Sequence, residues 1–100
     1  MKTVTVTFEY LAGLAGFSAG PDGKLNLPAT QETADKLAFV ANTIGGEWKP
    51  GDEPFEVVAT GAGPVWGWLA IAHGFHGRCV RMRYVAPNTP NGIVIWSHGV

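Results

Sequence analysis

The stretch from Phe55 to Phe75 constrains the fold of this chain more than any other. Phe55-Glu-Val-Val-Ala-Thr60 is a short, nearly all-apolar run, the pattern of a central strand covered on both faces. Gly61-Ala62-Gly63-Pro64 interrupts it. Val65 to Phe75 then carries Trp66, Leu69, Ala70 and His73 at helical spacing. A buried strand that feeds a glycine turn and then a helix belongs to an α/β layer fold, and the rest of the chain has to supply the remaining strands and the covering helix.

Those pieces can be read in order. Thr3 to Tyr10 alternates, with valine and phenylalanine on one face, which is the period of a half-buried strand. Leu11 to Gly23 is glycine-rich with a Pro-Asp-Gly turn signal, so it reads as an irregular connection into a short extended piece, Lys24 to Leu27. Thr30 can cap a helix in which Ala34, Leu37, Val40, Ala41 and Ile44 share a face, closed by Gly45-Gly46. Glu47 to Pro54 is a turn-rich loop in which Trp48 reads as a packed anchor or as a lid. Arg78 to Val85 is a strand, Ala86 to Gly92 a Pro/Asn loop, and Ile93 to Ser97 a second β-branched strand. The expected fold is a single domain over residues 1–100, with a mixed sheet and two helices.

Composition narrows the function. With 46% hydrophobic and 15% charged residues in 100, the chain can bury a core without metal or disulfide. No apolar stretch approaches the ~20 residues that span a bilayer, and the N-terminus alternates like a strand rather than a secretory signal, so a cytoplasmic protein is expected. Cys79 is the only cysteine, which excludes an internal disulfide and a Cys-based zinc cluster. A net charge of -1 argues against a duplex nucleic-acid binder. The charge is divided, however: all 8 carboxylates precede Val57, whereas every arginine and histidine follows it. Arginines without local acids point to an anionic ligand, or else to acids of the first half that pair with them across the fold.

Three groups could meet such a ligand. The Gly61-Ala62-Gly63-Pro64 turn opens a helix, where unpaired backbone N–H groups and a positive dipole end attract anions, and glycine permits close approach of a phosphate. Pro64 suits the first helical turn. His73 and His76 are three apart at the other end of that segment and could donate protons or hydrogen bonds to a phosphodiester, with His98 as a third imidazole. Arg81 and Arg83 share a strand face, as phosphate-clasping arginines would. Each has a structural reading as well: a tight connection, a satisfied helical histidine, a solvated strand face.

Taken together, Thr60-Gly61-Ala62-Gly63-Pro64-Val65-Trp66, His73-Gly-Phe-His76, Tyr84, Gly92-Ile93-Val94-Ile95 and Ser97-His98 resemble the core of the CRISPR-associated Csx-three family, also called ring nuclease three. The resemblance covers roughly residues 55 to 98. It implies a small Rossmann-like fold related to the CARF domains of type III CRISPR systems, a homodimer or dimer of dimers, binding of cyclic tetra-adenylate, and cleavage of that ring with manganese as cofactor. By position, His76 and His73 become the catalytic candidates. Gly61, Ala62, Gly63, Pro64, Trp66, Arg81, Arg83, Asn88 and His98 become the ligand-binding ones. Where the family has Tyr-Asp-Pro-Arg, this chain has Tyr84-Val85-Ala86-Pro87 in a loop two residues longer, so the acid and arginine of that motif are missing. Asn88 or Asn91 could hydrogen-bond a phosphate there but neither can act as a general base. The alternatives to a ring nuclease are a non-catalytic receptor or sponge for the same messenger, and a structural dimerisation module.

Overall fold

The computed structural model describes residues 2–46 and 53–97. Trp48 and the loop around it lie outside those residues, as does His98.

The alternating Thr-Val segment forms β1 (Lys2–Thr7), but the chain leaves the strand earlier than the alternation predicts. Thr7 turns its side chain to accept the Tyr10 N–H, an N-cap, and α1 (Phe8–Leu14) follows with Phe8, Leu11 and Ala12 buried. The expected strand end and irregular connection are therefore a short helix. The i, i+3, i+4 spacing of those three residues, buried together, outweighs the glycines around them. Lys24 to Leu27 makes no strand; Leu25 and Leu27 instead pack against the margin of the core.

α2 (Gln31–Gly45) begins where the sequence predicts, with Thr30 Oγ1 accepting the Thr33 N–H at 3.2 Å. Leu37 and Ala41 from the expected apolar face are fully buried, and Gly46 closes the helix. β2 (Phe55–Thr60) and α3 (Val65–Phe75) have the predicted bounds. β3 starts later than expected (Arg81–Val85), because Arg78 N–H bonds back to Phe75 O and carries the chain around the end of α3. β4 (Ile93–Ser97) is as predicted.

The sheet order is β1-β2-β3-β4, parallel for the first three and antiparallel for β4. It is a mixed four-strand sheet with three helices among the described residues rather than two. Val6, Val57, Ala59 and Met82 on one face of the sheet join Phe8, Leu11, Leu37, Ala41, Ile71 and Phe75 from the three helices in one buried cluster. The helices thus cover a single face. On the other face, Thr3, Glu56, Arg81 and Arg83 come together across three strands. No described helix is long and apolar enough to cross a membrane.

Candidate functional site

Because β1, β2 and β3 run parallel, their carboxyl ends share one edge of the sheet. That edge is where open α/β sheets present ligand crevices, since successive loops and helix starts converge there. Here it gathers the Thr60 to Pro64 turn, Tyr84 and the β3–β4 loop with Asn88.

Gly61 has φ +99°, a backbone region disfavoured for residues with a Cβ, and this bends the chain out of β2. Its carbonyl accepts two side-chain hydrogen bonds, from Tyr84 Oη at 2.9 Å and Trp68 Nε1 at 3.2 Å. Pro64 then serves as the N-cap of α3 and offers no side-chain cap. Trp68 N–H to Pro64 O, 3.1 Å, is the first backbone bond of the helix. The preceding amides of Ala62, Gly63, Val65, Trp66 and Gly67 meet no backbone acceptor among the described residues. Gly61 to Val65 is exposed, so the Ala62, Gly63 and Val65 donors lie beside solvent at the positive end of an eleven-residue helix, while Trp66 is half-buried and Gly67 buried.

Gly63 departs from its sequence reading. A Cβ built on it would lie 2.5 Å from Phe8 Cγ and Cδ2, so the space freed by its missing side chain belongs to the Phe8 ring. Glycine there is demanded by internal packing, and a ligand can use the turn's N–H groups but not that space. Trp66, another expected contact, is half-buried against the core. Trp68 is the tryptophan at the turn, edge-on to Phe8 at 5.3 Å and to Tyr84 at 5.6 Å between ring centroids. Sequence reasoning missed it. The available signal was that a half-buried indole N–H needs an acceptor, and a bent glycine turn displays one.

Beside the turn, a groove of about 360 Å³ runs between α3 and β4, lined by Val65, Trp68, Leu69, Tyr84 and Ile95 among others. The Trp68 N–H and Tyr84 hydroxyl both point to Gly61 O, which leaves the groove wall apolar. A larger groove of about 680 Å³ lies between α1 and α2 at Leu14, Phe39 and Ile44, and none of the candidate ligand-binding or catalytic residues lines it.

His73 and His76 are elsewhere. They lie in the last turn and at the C-cap of α3, with about 13 Å or more of helix between them and the turn at ~1.5 Å per residue. The sequence puts them at the other end of the segment from the turn, and the length of α3 keeps the two groups apart. Both are exposed, and the His76 ring meets Trp96 edge-on at 5.2 Å.

Arg81 and Arg83 do share a face, but the group they clasp is Glu56. Arg81 Nε donates to Glu56 Oε2 at 2.7 Å and its Nη2 lies 2.6 Å from the same oxygen. Arg83 Nη2 donates to Oε1 at 3.0 Å and its Nη1 to Asn91 O at 3.0 Å. Thr3 Oγ1 adds a 3.2 Å bond to Oε1. Pairing of first-half acids with the arginines across the fold is therefore realised at Glu56. Burial raises the Glu56 pKa, but the Arg81 hydrogen bond and charge, the Arg83 charge and the Thr3 hydrogen bond outweigh it and hold the carboxyl below its ordinary value. Two guanidinium groups against one acid leave one positive charge in excess. Arg83 Nε is buried with no partner among the described residues.

No protein-family model, curated protein or solved structure matches this chain. The β3–β4 loop is built from two successive turns. Thr89 N–H donates to Ala86 O, Gly92 N–H to Thr89 O, and Ala86 N–H to Thr89 Oγ1 at 2.8 Å. Asn88 is exposed on the first of them, at the same edge as the glycine turn. Among the described residues no three His, Cys, Asp or Glu side chains gather where one ion could be held. Cys79 is buried in the core with its thiol pushed up to about 11 by burial, and it is inert at neutral pH.

Proposed function

We propose that this chain is a binding domain for a cyclic oligonucleotide, cyclic tetra-adenylate by resemblance, and acts in the cytoplasm as a Rossmann-like, CARF-related homodimer. One observation carries the reading: an uncapped helix N-terminus at the carboxyl edge of a parallel sheet, with the exposed amides of Ala62, Gly63 and Val65 meeting no backbone acceptor among the described residues. Phosphate suits such a cluster, because it accepts several N–H bonds at once and its charge opposes the helix dipole. The neighbouring apolar groove suits a nucleobase, whose ring stacks against aromatic and aliphatic walls without needing polar partners. Asn88 stands at the same edge for a second phosphate. A two-fold dimer would match a ring of like symmetry.

The reading is a receptor or sponge rather than a nuclease. The histidines that would move protons stand at the opposite end of α3 from the turn, and the arginines that would stabilise developing charge are bound to Glu56.

Val65→Glu tests it. Val65 is 77% exposed at the first helical position, where a carboxylate favours the helix dipole by about 0.3–1 kcal/mol but repels a phosphate. The variant should melt no lower than the wild type and bind cyclic tetra-adenylate at least ~10-fold more weakly, the equivalent of ~1.4 kcal/mol. Equal affinity in calorimetry would move the ligand away from this turn. Product analysis on the same samples, with and without manganese, separates receptor from nuclease.

A further inference from the structure

The four-strand sheet has two open edges, and they are unlike. β1 presents Lys2, Thr3, Thr5 and Thr7 to solvent, polar and charged side chains of the kind that keep an edge from pairing. β4 reads Ile93-Val94-Ile95-Trp96-Ser97, without a charge or a proline, and pairs with β3 alone among the described residues. Its Ile93, Val94 and Ile95 are 55%, 50% and 51% exposed. Ile93 lies opposite Tyr84, on the side of the sheet where the helices pack, and the register shift against Met82 and Arg83 adds Ile95 to that side. There α3 turns Val65 and Leu69, both more than half exposed, toward the same flank. Five of the 8 exposed large hydrophobics of the described residues therefore lie along β4 and the α3 surface beside it, which makes this flank the one most in need of cover. The groove between α3 and β4 has α3 for one wall and no described helix for the other.

We infer that β4 pairs antiparallel with β4 of a second copy of this chain, which joins the two sheets into one and gives each groove its missing wall. Three properties of the edge select a second copy over another protein. Antiparallel neighbours in a sheet are related by a two-fold axis perpendicular to it, so one strand can be its own partner. The strand is uncharged, so two copies meet there without repulsion. The five side chains expose roughly 550 Å² per copy, which with the edge backbone reaches the low end of the ~1,200–2,000 Å² in total that specific interfaces bury. The axis keeps the helices of both copies on one side of the joined sheet, where Ile95 of each copy lies toward the groove of the other. Of the proposed function only the homodimer is presupposed; the ligand is not.

Sedimentation of the whole chain without ligand tests this, from ~1 to ~300 µM because an interface of this size gives modest affinity. The wild type should dimerise. Ile95→Lys and Ile95→Glu each set a charge against its own copy and should weaken dimerisation at least ~100-fold, whereas an equal mixture of the two should dimerise again, which misfolded variants would not do. Phe39→Lys, which puts a charge into the α1–α2 groove instead, should leave the dimer intact. Hydrogen exchange of the amides from Ile93 to Ser97 should slow as the wild-type concentration rises, because edge pairing takes up donors that solvent otherwise reaches. A dimer that survives both Ile95 variants, or that only Phe39→Lys breaks, overturns the inference and leaves the homodimer standing. So does a mixture that stays monomeric, or a dimer whose β4 amides exchange no more slowly. A wild type that is monomeric throughout overturns both the edge pairing and the homodimer, and calorimetry with cyclic tetra-adenylate then judges the ligand separately.

Discussion

At the residue scale, Glu56 organises the face of the sheet that the helices leave uncovered. Its side chain is 5% exposed and is held by Arg81 and Arg83, which are 27% and 29% exposed. A carboxylate so placed is stable only while paired, and removing it leaves two guanidinium groups facing each other across neighbouring register positions of one strand. Glu56→Gln should cost about 2–3 kcal/mol in urea unfolding at pH 7, at the lower end for a broken pair because solvent screens the arginines. The pH dependence follows from the lowered pKa. The unfolded chain takes up the proton first, near 4.5, so the stabilisation is full above that pH and is lost as pH falls through the lower folded value. Unfolding measured from pH 6 to pH 2.5 should show that loss in the wild type and not in Glu56→Gln. A parallel fall in both would place the acid sensitivity in another group.

At the scale of elements, α1 and α3 are tied together by Phe8. Its ring fills the space beside Gly63 and Gly67, so the first turn of α3 can lie close over the start of α1. Gly63→Ala should overpack this contact and destabilise by about 1–3 kcal/mol, a loss that Phe8→Leu in the same chain should partly relieve. Denaturant midpoints of the two single variants and the double variant test this. Additive losses would show that the two positions do not meet. A binding defect in a bulkier Gly63 variant would accordingly report on packing before it reported on a ligand. The interior strand and the helix after the glycine turn were legible because uniform apolarity, glycine and helical spacing are local signals. Helix α1 was not, since the residues that cap and bury it continue the alternation of β1 and only tertiary burial shows which period prevails.

For the molecule as a whole, the decisive feature is that one helix length separates the two groups of candidate residues. The glycine turn, Tyr84 and Asn88 lie at the carboxyl edge of the sheet, and His73 and His76 lie in the last turn and at the C-cap of α3. His76→Ala should therefore leave affinity for cyclic tetra-adenylate unchanged and lower stability by about 0.5–1 kcal/mol through the lost edge contact with Trp96. Calorimetry and thermal unfolding on one preparation measure both. A large loss of affinity would mean that the histidine reaches the ligand from a second copy. From the sequence alone came the α/β class, the bounds of β2, α3 and β4, the cap of α2 and the residue types suited to an anion, because all of these depend on neighbours a few positions apart. The partner of Arg81 and Arg83, the clamp on Gly61 and the distance between turn and histidines belong to the tertiary structure. Each depends on which strands lie side by side and on how far a helix carries the chain, and no local spacing encodes that.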